Sequence, residues 1–184
     1  MGADTIGGGR SLPDGVRATL LARRVIMLNG ELDHTQASEI AATLMTLDAL
    51  GDEHIELRIT SASGSMEAGL VLIDVIEVLG VPVHTVGMGE IGGGVVAVLT
   101  AGAERAVSPR ARLYLREPDI DIAGRASDIE RALAERTARR DVFFCFLARC
   151  TGRPLSEIEA EWAAGRYVSA EDAKTLGYVS SVVA

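Results

Sequence analysis

Ile59-Thr60-Ser61-Ala62-Ser63-Gly64-Ser65-Met66-Glu67-Ala68-Gly69-Leu70 is the stretch on which the fold turns. Ile55 to Ile59 reads as a strand, Ser61 to Ser65 as a turn of small residues, and Met66 to Leu79 as an apolar helix. The pattern then repeats. Val83 to Val86 is a strand, Gly87 to Gly94 is glycine-rich, and Val95 to Ala101 is helical. Strand, small-residue turn and helix in tandem predict α/β units that feed one shared sheet.

Upstream, Arg17 to Arg24 predicts a short helix and Val25 to Leu28 a strand closed by the turn Asn29-Gly30. A helix follows over Thr35 to Leu50, with Ile40, Leu44, Met45 and Leu47 as its apolar side. Downstream, Leu113 to Leu115 is a short strand. The longest helix runs from Asp128 to Cys150, opened by a capping box Ser127-x-x-Glu130 and stopped by Gly152 and Pro154. At about 1.5 Å per residue it reaches roughly 35 Å. It is Arg-rich at its start and carries Phe143, Phe144 and Phe146 near its end, which predicts a neighbouring subunit as cover for both. A second capping box, Ser169-x-x-Asp172, opens a last helix that ends at Gly177, and Val179 to Val183 is a closing strand.

The 184 residues suit one compact domain over 14–184, after a flexible, Gly-rich segment over 1–13. A net charge of −8 argues against nucleic acid, whose phosphates need clustered Lys and Arg. Of the 18 basic residues only Lys174 is a lysine. No apolar run is long enough to span a membrane and no signal peptide opens the chain, so the expectation is a cytoplasmic protein. Cys145 and Cys150 are five apart on one helix, face different ways, and read as free thiols. Asp119 and Asp121 read as an exposed acidic strand rather than a metal site, and nothing implies a cofactor.

Small-residue turns that open helices leave backbone N–H groups without intrahelical partners, and such groups bind anions or developing oxyanions. The turns Ser63-Gly64-Ser65 and Gly92-Gly93-Gly94 therefore form a candidate two-donor cradle. The alternative, equally open at this level, is that the glycines only let two helices pack closely.

Leu20 to Glu31, the run Ile59 to Ser65 with Ala68-Gly69, Gly124-x-Ala126-Ser127-Asp128-Ile129, Thr151-Gly152-Arg153-Pro154-Leu155, and Val168-Ser169-Ala170-Glu171-x-Ala173 with Leu176-Gly177 resemble, in order and spacing, the motifs of Clp protease proteolytic subunits. The resemblance covers about Leu20 to the end. It implies a ClpP/crotonase-like α/β spiral of ββα units with a projecting handle helix over about 117–150. It also implies seven-membered rings stacked in pairs, and a serine-protease chamber served by a Clp ATPase. At the positions that match the family's catalytic residues this chain departs. Gly93 stands for the serine, Arg116 for the histidine and Gly165 for the aspartate. Glycine supplies no nucleophile, and a guanidinium stays protonated and cannot act as a base. The resemblance assigns the oxyanion amides to Gly64 and Gly94. It places Glu56 and Arg58 where the family lines its ATPase-docking groove with aromatic residues, so charge there should weaken docking of an apolar loop.

The expectation is a degenerate, ClpR-like subunit without peptidase activity, in rings with active Clp subunits or with its own kind. Two alternatives stand beside it: a crotonase-like acyl-CoA enzyme that reuses the cradle, and a serine peptidase with a relocated triad. The second would need Ser63 or Ser65 with His84; the other two histidines, His34 and His54, lie near no matched site.

Overall fold

The computed structural model describes residues 13–117 and 125–183. The readings for the N-terminal segment up to residue 12, and for Pro118, Asp119, Asp121 and Gly124, lie outside the described residues. So does the part of the expected handle over 118–124.

Helix α1 (Asp14–Ala22) precedes strand β1 (Val25–Asn29), and α2 (His34–Leu50) leads to β2 (Ile55–Ser61). Then come α3 (Met66–Val78), β3 (Val83–Gly92), α4 (Gly94–Thr100), β4 (Glu104–Val107) and β5 (Arg112–Leu115). The chain continues through α5 (Ala126–Thr151), α6 (Leu155–Ala164), β6 (Arg166–Ser169), α7 (Ala170–Thr175) and β7 (Ser181–Val182). The architecture is mixed α/β, as the tandem pattern predicts. The sheet has the parallel order β1-β2-β3-β4-β7, with β5 and β6 branching from it. Parallel neighbours need helical crossovers, which is why α2 and α3 lie between successive strands.

Strand β3 makes the branch. Its first half pairs with β4 (His84 to Gly87 against Glu104 to Val107), and its last residues pair with β5 (Glu90 to Gly92 against Arg112 to Tyr114). The sequence suggested that this strand ends at Val86. It runs on to Gly92 because glycines permit the bend: Gly89 has φ +68°, and its register against β2 shifts between Ile59 and Ser61. A Cβ on Gly87 would lie 2.4 Å from Ile91 Cδ1, so the kinked strand folds back on a position without a side chain.

The core lies between this sheet and its helices. Leu28, Leu44, Leu57, Ile59 and Leu72 are fully buried, and so is every residue from Val95 to Leu99. Asp33 caps α2 through Gln36 N at 2.8 Å. Arg24, at φ +57°, closes the far end of α2 by donating to the carbonyls of Leu47 (2.9 Å) and Gly51 (3.2 Å). On α2 the buried stripe is Ala37, Ile40, Ala41, Leu44 and Leu47, and Met45 is 58% exposed rather than part of it. One residue past Leu44 is a 100° turn away from the core-facing side.

The long helix corrects two expectations. It begins at Ala126 with Arg125 as a cap that makes no side-chain bond, so the box Ser127-x-x-Glu130 does not form. Its aromatic end is not an open interface: Phe143 and Phe144 are fully buried and Phe146 nearly so. They pack edge-to-face on Trp162 of α6, with centroids 5.3 and 5.6 Å from Phe143 and Phe144. Helix α6 is not legible as a helix in the sequence, and neither is its cover for Phe143 and Phe144. The other half of α5 is different. From Ser127 to Val142 only Ile129, Ala132, Arg136 and Arg140 are half-buried, and the remainder is exposed. At the second box Ser169 caps α7 as expected, its Oγ accepting from Asp172 N at 3.2 Å, while the Asp172 carboxylate takes the Ser169 hydroxyl at 2.7 Å in place of the main-chain N–H. The closing strand is shorter than the apolar run, because Tyr178 and Val179 enter the core before β7 begins.

Candidate functional site

Strands β3, β5 and β6 lie side by side, and their register decides what meets at their ends. Gly92 is opposite Tyr114 on β5, and Leu115 is opposite Arg166 on β6. Arg116 therefore leaves β5 next to Gly165, which immediately precedes β6, and Gly93 leaves β3 beside the same end. Three positions separated by 23 and 49 residues in the chain are gathered by sheet pairing alone.

Gly93 is the residue between strand and helix. It has φ +58° and ψ −141°, a region essentially restricted to glycine, and it caps α4. Gly165 closes α6 at φ +64° and ψ +80°. A Cβ there would meet nothing within 4 Å. Arg116 is exposed and permanently cationic. Its neighbour Glu117 is fixed by Arg140 of α5, whose Nε and Nη2 donate to Glu117 Oε1 at 3.2 and 2.8 Å. Arg140 Nη1 reaches Glu159 of α6 at 3.0 Å, and the guanidinium lies 4.6 Å from the Phe144 ring centroid. Hydrogen bonding to Glu117 pushes the Arg140 pKa still higher, so the guanidinium keeps its charge at any accessible pH. Sequence spacing does not announce the clamp: its members are 19 to 42 residues apart and meet only where α5 packs against α6 and the segment after β5.

The second wall of the site is the turn at Ser63 to Ser65. Leu32 N donates to Ser63 O at 3.0 Å, and Ser65 N donates to Leu32 O at 2.9 Å. This bridge uses the groups on either side of Gly64, so Gly64's own N–H and C=O point the opposite way, toward Gly93 and Gly94. Gly94 N donates to Gly64 O at 2.9 Å. The Gly64 amide has no acceptor among the described residues, and its nitrogen lies 3.2 Å from where a Gly93 Cβ would sit. Of the two expected cradle donors, then, Gly64 N–H faces the gap, whereas Gly94 N–H is taken by the main chain opposite. Close approach also accounts for the glycines: a Cβ on Gly94 would lie 2.1 Å from Ser65 O, and one on Gly69 2.7 Å from Gly94 O.

Tyr114 and Tyr167 stack beside the site, 4.4 Å between centroids, with the Arg112 guanidinium 5.8 Å from the Tyr167 ring. The histidines lie elsewhere. His54 and His84 stack on each other, 4.3 Å apart, at the start of β2 and β3. Gly93 follows the other end of β3, nine residues and about 30 Å of extended chain beyond His84 at a strand's rise per residue. Ser63 and Ser65 sit at that far end too, so they form no triad with His84. Glu56 and Arg58 are on the outer side of β2, bonded to each other as an ion pair. Burial pushes the Cys150 thiol pKa up, which keeps it a poor nucleophile, and Cys145 is an exposed free thiol. Among the described residues no three potential ligands cluster in a way that would hold a metal ion, and no helix is long and apolar enough to cross a membrane.

The sequence profile of the family described as Clp protease matches residues 10–184. Among curated proteins, the chain is similar to the ATP-dependent Clp protease proteolytic subunit 3 of Rhizobium johnstonii (strain DSM 114642 / LMG 32736 / 3841). The two are 30% identical over 178 residues, covering 95% of this chain and 92% of the relative. Tandem strand–turn–helix units, a long helix anchored by its C-terminal half, and this match over nearly the whole length agree: the chain belongs to the Clp protease family.

Proposed function

We propose that this chain is a non-catalytic subunit of an ATP-dependent Clp protease complex, with a structural or regulatory role in ring assembly. The observation that carries the reading is the content of the three gathered positions: Gly93, Arg116 and Gly165. Hydrolysis by a serine route needs a hydroxyl, a base with a pKa near neutrality, and a carboxylate that holds the imidazole tautomer. None of the three is supplied there. The partners are active Clp subunits in seven-membered rings, or further copies of this chain. The exposed half of α5 supports assembly, since it projects charged and small residues that the described residues leave uncovered. Docking of an ATPase is weakened by the Glu56–Arg58 ion pair, which an apolar loop would have to desolvate.

Two measurements on the natural protein test this. Purified chain treated with a fluorophosphonate and with fluorogenic peptides should show neither labelling nor turnover. Light scattering of the chain alone and mixed with active Clp subunits from the same cell should show a ring-sized species in at least one sample. Specific labelling would overturn the absence of catalysis, and a strict monomer in both samples would overturn the assembly role.

A further inference from the structure

We infer that the Gly64 carbonyl is a main-chain plug: it holds the cleft shut, so that no substrate carbonyl or acyl oxygen can be bound between the two turns. The inference rests on the non-catalytic reading above and extends it, because it concerns the backbone rather than the missing side chains. Gly64 O occupies the space in which a side chain at position 93 would begin, 2.6 Å from the Cβ position. It also accepts the Gly94 N–H at 2.9 Å, the donor that a two-amide cradle would need free. An acyl oxygen entering the gap would find one outward amide, Gly64, beside a carbonyl of its own sign.

The plug cannot swing aside easily. Turning the Gly64–Ser65 peptide would give up the bond from Gly94 N and the bond from Ser65 N to Leu32 O together. The residue is also closely packed at its Cα, since a Cβ on Gly64 would lie 2.7 Å from Leu32 Cβ and 2.7 Å from Val95 Cγ2. Both of those neighbours are fully buried. Buried apolar groups packed this closely against the Cα resist rotation of the turn. Gly93 permits the arrangement by having no side chain. The same geometry argues against a crotonase-like acyl-CoA enzyme, whose thioester oxygen would need both amides at once.

The test is amide hydrogen exchange read residue by residue on the full-length protein in its native assembly, with and without millimolar acetyl-CoA. The Gly94 amide should exchange at least ~100-fold more slowly than in an unfolded chain, in the same class as the bonded amides of Leu32 and Ser65. Acetyl-CoA should leave Gly64 and Gly94 unchanged. Exchange of Gly94 at the unfolded rate, while Leu32 and Ser65 remain protected, would overturn the plug. So would a slowing of Gly64 by acetyl-CoA. Peptide hydrolysis by the chain purified without other subunits is a separate readout that sinks the non-catalytic reading, whereas fast Gly94 exchange in a chain that is inert on its own sinks the plug alone.

Discussion

Gly93→Ser and Gly165→Asp each return a residue type of the family's active members to a glycine at positive φ, but the structure assigns them unequal costs. At Gly93 the backbone at φ +58° and ψ −141° lies in territory where any Cβ costs about 1–3 kcal/mol. The added Cβ would also press on Gly64 O at 2.6 Å, a backbone atom that can retreat only by turning its peptide. That retreat gives up two hydrogen bonds worth about 1 kcal/mol each. Reduced freedom of the unfolded chain returns about 0.4–1 kcal/mol. The net loss is therefore about 3 kcal/mol, or roughly 10 °C in melting temperature for a domain of this size. At Gly165 no described atom lies within 4 Å of the new Cβ, and aspartate tolerates the left-handed region, so the cost stays near or below about 1 kcal/mol. Urea unfolding of the two single variants, with unchanged slope against denaturant, measures the difference directly. A Gly93→Ser protein within about 0.5 kcal/mol of its parent would refute the reasoning. Neither single change should restore turnover in a fluorogenic-peptide assay. The smallest set that supplies nucleophile, base and carboxylate is Gly93→Ser, Arg116→His and Gly165→Asp, and robust activity of Gly93→Ser alone would show that the base is not missing at position 116.

Two further outcomes follow from the ion-pair and aromatic networks. Arg140→Met should loosen the join between α5, α6 and the segment after β5: it leaves Glu117 and Glu159, each about a third exposed, without their shared cation. The expected loss is about 1–2 kcal/mol, shrinking between 0.05 and 0.5 M salt, and a salt-independent loss would mean that the Phe144 contact and not the charge is what matters. Tyr178 is buried, donates to Glu161 and accepts from Trp162 Nε1 at 3.3 Å; burial first of all pushes its pKa from 10 up to about 12. A pKa raised on folding favours the protonated phenol, so this contribution is complete below pH 10 and is lost as pH rises through about 12. The loss is about 2–3 kcal/mol. Melting temperatures between pH 9.5 and 12 should fall less steeply in Tyr178→Phe than in the natural protein, and parallel slopes would refute the assignment.

The sequence by itself determined the elements whose signals are local. The tandem units from Ile55 to Ala101, the capping box at Ser169 and the glycine stop at Gly152 need only neighbours in the chain, because capping and apolar periodicity act over three or four residues. The alignment of whole motifs likewise placed Gly93, Arg116 and Gly165 as a set from residue identity alone. What the sequence left undecided were contacts between distant segments. Strand β3 continues through Gly87 and Gly89 because it gains a ladder to β5, whose sequence does not announce it. The Phe143–Phe144–Trp162 cluster became core because α6 folds back on α5, so the expected subunit cover was not needed there. At the site, the question of cradle or close packing turned on which way one peptide faces. No residue type encodes that direction. It follows from Leu32 pairing with the groups on either side of Gly64, which turns the Gly64 carbonyl onto Gly94 N–H and into the space that Gly93 leaves open.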